Sequence, residues 1–419
     1  MKKVVLKLLH NFWDYRDEII QAKFTGFFYI AVSFFFMMFS QVNAADRFPA
    51  AGFKTVQALD VYAEKNTIHA LYSGLDKKTG RPLVRYLHSL DAGKTWSEPV
   101  TVNKDIAPVK QARRGNDFQI AAFGNTVMAI WKTKGGEPWT GKIVVTLSRD
   151  LGKTWVKIDS PVSEKFAKVD QGYMDVTVDQ EGKFHFVWLD DREEAGNTQG
   201  LRYANYLDNQ QVAVWQDHKD LAASVCTCCW SEIEADIKGN VHVLYREDKP
   251  RDMNVISSFD GGKSWQKPGV VWPFGWQFVG CPHQGGGLVT AQLEGKTVLH
   301  AVVWNGKTSN RGLFYSQSSE SGKWSPVIRV GDDSSASGDI AAIGNDQLAI
   351  VYTAGDSEKK QVLMKVSGDG GRSWSKEIKL TQDGVDASHP KIVGALDGFR
   401  VFWTEWLDNG NAIGMMSVL

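Results

Sequence analysis

The four cysteines carry the sharpest chemistry in this sequence. All of them fall in two short segments, VCTCCW (225–230) and VGCPHQG (279–285). Cys226, Cys228 and Cys229 lie within four residues of one another, and Cys281 stands two residues before His283. An even cysteine count in an exported chain reads first as disulfides, and the simplest bridge joins Cys281 to one member of the triplet. Pairing the other two locally closes almost no loop and adds little chain-entropy stabilisation. Thiolates beside an imidazole form instead a soft ligand set suited to Cu(I) or Zn(II). The residue types leave both readings open.

A second group of residues has charge and hydrogen-bonding capacity at the ends of short apolar runs. Arg113, Arg114, Asn116 and Asp117 precede one such run, Tyr173 and Asp175 begin another, Trp230 begins a third, and Asp339 and His389 begin two more. Asp191 and Arg192, Arg246 and Arg251, and Glu405 follow runs of the same kind. Only an architecture that gathers strand ends from distant parts of the chain would bring them together.

The elements that must do this are visible as repeats. Four segments fit S-x-D-x-G-x-[TS]-W: 89–96, 148–155, 258–265 and 367–374. The spacing suits a hairpin turn. Its Asp (Asp91, Asp150, Asp260, Asp369) accepts backbone N–H bonds across the turn, its Gly takes a positive φ, and its Trp packs between sheets. Four copies at a fixed phase make these turns scaffold rather than calcium loops. Weaker versions fill two gaps, one ending at Trp215 and one, 316–324, that keeps Gly322 and Trp324 and lacks the Asp.

A second periodic feature counts the units. Seven apolar, β-branched-rich strands each end in an aromatic, at Tyr72, Trp131, Trp188, Tyr245, Trp304, Tyr352 and Trp403. The reading is an all-β, seven-bladed β-propeller, with six blades as the alternative. The last unit has only three strands before Leu419, so a segment near Phe48 to Phe53 is expected to supply its fourth strand and close the ring. The turns with the repeated motif join third to fourth strands. The loops holding the charged residues and the cysteines therefore converge on the opposite face, around the central channel.

The repeated turn resembles the Asp box, or BNR repeat, of sialidases and related propellers, and the resemblance extends over most of residues 45–419. The paired C-x-C-C and C-P-H segments resemble those of exported sialidase-like proteins. Membership would imply a six-bladed enzyme with three arginines holding the substrate carboxylate, a Tyr nucleophile activated by a Glu, and an Asp acid/base. Arg113, Arg114, Tyr173, Asp175 and Arg246 are the candidates for such a site. RFPA at Arg47 echoes the R-I-P motif of the family but falls where the ring must close, and no Tyr stands in a late-blade loop. The expectation is a ligand-binding propeller without sialidase turnover; the alternative is a glycoside hydrolase with a diverged site.

Compartment and partners follow from the ends and the charge. Lys2, Lys3, Lys7, Arg16 and Lys23 precede an apolar run, 24–39, and Val42 and Ala44 suit a signal-peptidase cut after Ala44. The expectation is a periplasmic or secreted monomer, residues 45–419, with no stable membrane span after cleavage. Its ligand would be a small molecule, a glycan or a protein. The 48 basic residues balance 48 acidic ones without a sustained basic run, which argues against nucleic acid.

Overall fold

Seven four-stranded antiparallel sheets account for nearly all of the computed structural model, which describes residues 46–47, 52–104, 118–137, 140–162, 170–191, 199–208, 213–318, 322–356, 359–407 and 412–418. The expected signal segment and cleavage site, along with Arg113, Arg114, Asp117 and Arg192, lie outside the described residues. The innermost strands of the seven blades are Phe53–Glu64, Phe118–Phe123, Gln171–Val178, Glu232–Ala235, Gly286–Leu293, Ala336–Ile343 and Asp386–Ala395. Consecutive innermost strands lie side by side, and that of blade 7 lies against that of blade 1. The seven-bladed reading holds, and six blades are ruled out.

Blade 7 is completed from the N-terminal side, as expected, though by a slightly earlier segment. Asp46–Arg47 pairs with Ala412–Val418, setting Asp46 opposite Met415 and Arg47 opposite Gly414. Phe53 instead starts the 12-residue innermost strand of blade 1. That strand needs the whole run to Glu64, so the closing strand must come before it.

The core lies between blades. Apolar clusters pair blades 1 and 2, 2 and 3, 3 and 4, 4 and 5, 5 and 6, and 7 and 1. Six of the seven strand-ending aromatics are buried, while Trp304 is half-buried. Truncating a buried one to Ala would cost about 3–5 kcal/mol.

The four repeated turns share one hydrogen-bond pattern. In the first, Thr95 N–H and its hydroxyl donate to the two carboxylate oxygens of Asp91 at 2.8 and 2.6 Å, and Gly93 N–H donates to Ser89 Oγ at 2.7 Å. The bonds to Thr95 and Ser89 hold the Asp91 carboxyl down at about 2, and the equivalent hydroxyls do the same for Asp150 and Asp260. Three of these turns also clasp the preceding blade. Trp155, Trp265 and Trp374 meet Tyr86, Tyr203 and Tyr315 edge-on at 5.3, 4.8 and 4.9 Å. Each Tyr hydroxyl shares a 2.7 Å hydrogen bond with a buried His of its own blade, His69, His185 or His300. A Cβ at Gly152, Gly262 or Gly371 would fall inside those tyrosines. The first turn clasps blade 7 differently, because the His position there is Arg400, whose Nε donates to Ala92 O at 2.6 Å.

Candidate functional site

The innermost strands place one residue per blade at the same register position, facing the channel: Asp60, Gln119, Asp175, Glu232, Gly287, Asp339 and Lys391. The hydrogen bonds set the equivalence. Asp60 accepts from Ile120 N–H at 2.9 Å, Asp175 from Ile233 N–H at 2.7 Å, and Asp339 from Ile392 N–H at 2.9 Å, each reaching into the next blade. Four carboxyls thus share one ammonium, and Lys391 lies 3.8 Å from Asp60. Burial, partly offset by Lys391, pushes Asp60 up to about 6 and Asp175 up to about 7. Burial also raises Glu232, Asp339 and the neighbouring Glu234, the last to about 8.

At the mouth of the channel, on the side where the innermost strands begin, these strands are distorted. Register shifts interrupt the pairing between Gly172 and Asp175, Ala336 and Asp339, and Ser388 and Lys391. In each bulge one non-glycine residue takes a left-handed φ near 50°: Tyr173, Ser337 and His389. Such backbone costs on the order of 1–3 kcal/mol per residue, and bulges of this kind re-aim side chains next to functional sites.

Blades 4 to 7 enclose a cavity of about 320 Å³ at this mouth. Trp230 and Glu232 of blade 4, His283, Ser337 and Asp339, and His389, Lys391 and Trp406 of blade 7 line it. Of the residues singled out from sequence, Trp230, His283, Asp339 and His389 meet here, as their place at the starts of innermost strands requires. Glu232, Ser337, Lys391 and Trp406 were missed; for Glu232 and Lys391 the available signal was their shared register with Asp175 and Asp339.

The triplet cysteines form their own buried site. Cys226, Cys228 and Cys229 are 1%, 2% and 2% exposed, and their sulfurs lie within 4.8 Å of one another. Cys226 Sγ is 2.8 Å from Cys229 Sγ and 3.8 Å from Cys228 Sγ. Tyr173 packs against them and meets Trp230 edge-on at 5.5 Å. Arg251 Nη1 donates to Cys226 Sγ at 2.9 Å while its Nε donates to Phe278 O. All four cysteines are free thiols, so the bridge from Cys281 to the triplet is not formed. Cys281 is exposed, and His283, at φ 51°, donates from Nδ1 to the Cys281 carbonyl and lines the cavity. Neither residue joins the group of three thiols.

The remaining candidates have structural partners. Arg246 is 2% exposed and donates to Arg251 O at 2.7 Å, Trp304 O at 2.8 Å and Gln284 O at 3.4 Å, with its guanidinium over Trp276. Glu405 accepts from Trp403 Nε1 at 3.0 Å. Asp191 directly follows blade 3's second strand, Phe184–Asp190, its N–H donating to Asp170 O.

No family model matches the sequence, and no curated relative does. Among solved structures, an ulvan lyase of polysaccharide lyase family PL25 is 10% identical, with a TM-score of 0.57 over 88% of this chain and 95% of the lyase. Trypanosoma rangeli sialidase bound to the inhibitor DANA is 11% identical over 90% of this chain, with a TM-score of 0.49. The Hadza microbial sialidase Hz136 is 14% identical over 88%, also at 0.49. The chain spans 58% of the length of the trypanosomal enzyme. At such identities the likeness is one of fold alone, and that fold is a β-propeller, here with seven blades.

Proposed function

We propose that this chain is an exported propeller that binds a carbohydrate, or a ligand of similar polarity, in the channel-mouth cavity without releasing sialic acid, and that its buried thiols bind a soft metal, Cu or Zn. The observation that carries the first part is the convergence of four blades on one cavity, three of whose wall residues, His283, Ser337 and His389, are held in strained backbone. The volume falls at the lower end of small-ligand pockets. Trp406, 56% exposed, offers an apolar face for a sugar ring, and His283, His389 and Lys391 offer polar groups to its hydroxyls or a carboxylate. The polysaccharide lyase, which matches over most of both chains, supports a carbohydrate as the ligand class. Fold alone assigns no activity.

Among the described residues, the two candidate arginines support the absence of sialidase turnover. Arg246 donates to three carbonyls, and Arg251 is held by Cys226, Phe278 and Asp248, so neither is free to grip a carboxylate. Tyr173 lies over the thiols. One observation favours the second reading, a glycosidase or lyase with a diverged site: Glu232 and Asp339 line the cavity, and burial raises the proton affinity of both carboxyls, the direction a general acid requires. Calorimetric titration with neutral and uronate-containing oligosaccharides, beside a fluorogenic sialoside assay, tests both. The expected result is saccharide binding weakened about tenfold or more by Trp406→Ala, with no sialic acid release. Turnover abolished by Glu232→Gln would establish the second reading instead.

A further inference from the structure

We propose that Cys226, Cys228 and Cys229 by themselves, without Cys281 or His283, form a three-coordinate Cu(I) site whose negative charge is offset by the Arg251 guanidinium hydrogen-bonded to Cys226. This deepens the soft-metal part of the function proposed above and is independent of what the cavity binds.

Coordination number is the first argument. The three sulfurs are close enough to share one ion, and among the described residues no His, Asp, Glu or further Cys joins the group. Structural zinc is almost always closed by four ligands in a tetrahedron, and zinc sites with three protein ligands keep water at the open position. These sulfurs belong to residues at most 2% exposed, with Tyr173 packed against them, surroundings that disfavour a water ligand exchanging with solvent. Cu(I) is selected by soft thiolates and needs no fourth donor here.

Charge is the second argument. Three thiolates around one cuprous ion carry a net charge of −2, which is costly in a buried site unless it is paired. A guanidinium that also pairs with Asp248 at 3.5 Å stands beside it: Arg251 Nη1 donates to Cys226 Sγ at 2.9 Å. That hydrogen bond to a ligand sulfur is the outer-shell arrangement that orients metal ligands.

The test is an anaerobic titration of the reduced protein with Cu(I), held by ascorbate, against the chromophoric chelator bicinchoninate, with Zn(II) titrated in parallel. One Cu(I) per chain is expected. Cys228→Ser should abolish uptake, while Cys281→Ser and His283→Ala should retain it. Because Cys228→Ser could disturb folding, thermal melting of each variant is followed, and Arg251→Gln provides a second probe. It should weaken Cu(I) binding by about 10- to 100-fold, as outer-shell changes do. Preference for Zn(II), or loss of Cu(I) on replacing Cys281, would overturn the three-thiol cuprous site while leaving a soft-metal site standing. Uptake of neither metal by the folded, reduced protein would overturn both.

Discussion

Arg246 illustrates how one residue's surroundings decide its role. From sequence it was a candidate to hold a substrate carboxylate, because a guanidinium at a strand end is suited to that task. In the fold it is 2% exposed and its N–H groups bind three backbone carbonyls across blades 4 and 5. Removing it would strand those buried acceptors, each at a cost of about 1–3 kcal/mol. Arg246→Ala should therefore lower the melting temperature sharply, as differential scanning calorimetry would register. A variant of normal stability that had lost ligand binding would return Arg246 to the binding site. A second residue-scale expectation concerns Asp91, whose bonds lie within its own turn. Asp91→Ala should lower the melting temperature modestly and leave saccharide affinity at the opposite face unchanged, which calorimetry on one sample can check.

At the scale of the element, the repeated turn is both a hairpin and a clasp between blades. Its Asp and hydroxyl bonds were legible in the motif, since the spacing S-x-D-x-G-x-[TS]-W contains every partner. The clasp was not, because the Tyr it grips, and the His that holds that Tyr, lie about 60 to 85 residues upstream in a different blade, with nothing local to mark them. Glycine substitutions separate the two roles. Gly262 has φ 92° and abuts Tyr203, whereas Gly124 has φ 58° with open space around it. Gly124→Ala should cost only the left-handed backbone penalty, about 1 kcal/mol. Gly262→Ala should cost a further 1–3 kcal/mol or so, because the methyl group overpacks the interface between blades 3 and 4. Equal losses in urea denaturation of the two variants would refute the clasp.

For the whole molecule, the channel makes stability depend on pH. Asp60, Asp175 and Glu234 titrate at about 6, 7 and 8 in the folded protein, against about 4 when unfolded. Their folded-state values are raised, so the folded state binds more protons in that window. The stability they contribute is complete below about pH 4 and is lost as pH rises toward 8. The Asp boxes have the opposite sign. With Asp91, Asp150 and Asp260 at about 2, their contribution is present above about pH 4 and disappears as pH falls through 2. Melting temperature should accordingly peak near pH 4–5 and decline toward pH 8. Asp60→Asn keeps an acceptor for Ile120 N–H and removes the charge, so it should flatten the decline and raise stability at pH 8. A wild-type melting temperature that climbs from pH 5 to 8 would contradict this account.

The blade count, the turn chemistry and the face carrying the conserved-phase loops were all determined by local pattern, because strand alternation and a turn motif are properties of neighbouring residues. So was the presence of a thiol cluster in blade 4, which three cysteines in four residues make unavoidable. Tertiary structure alone decided which of those groups meet. It placed Cys281 in solvent rather than against the triplet, brought Arg251 to Cys226 from 25 residues away, and gathered Asp60, Asp175, Glu232, Asp339 and Lys391 around one axis. The reason is geometric: residues at the same register in successive blades are separated by tens of positions along the chain, and only closure of the ring sets them side by side.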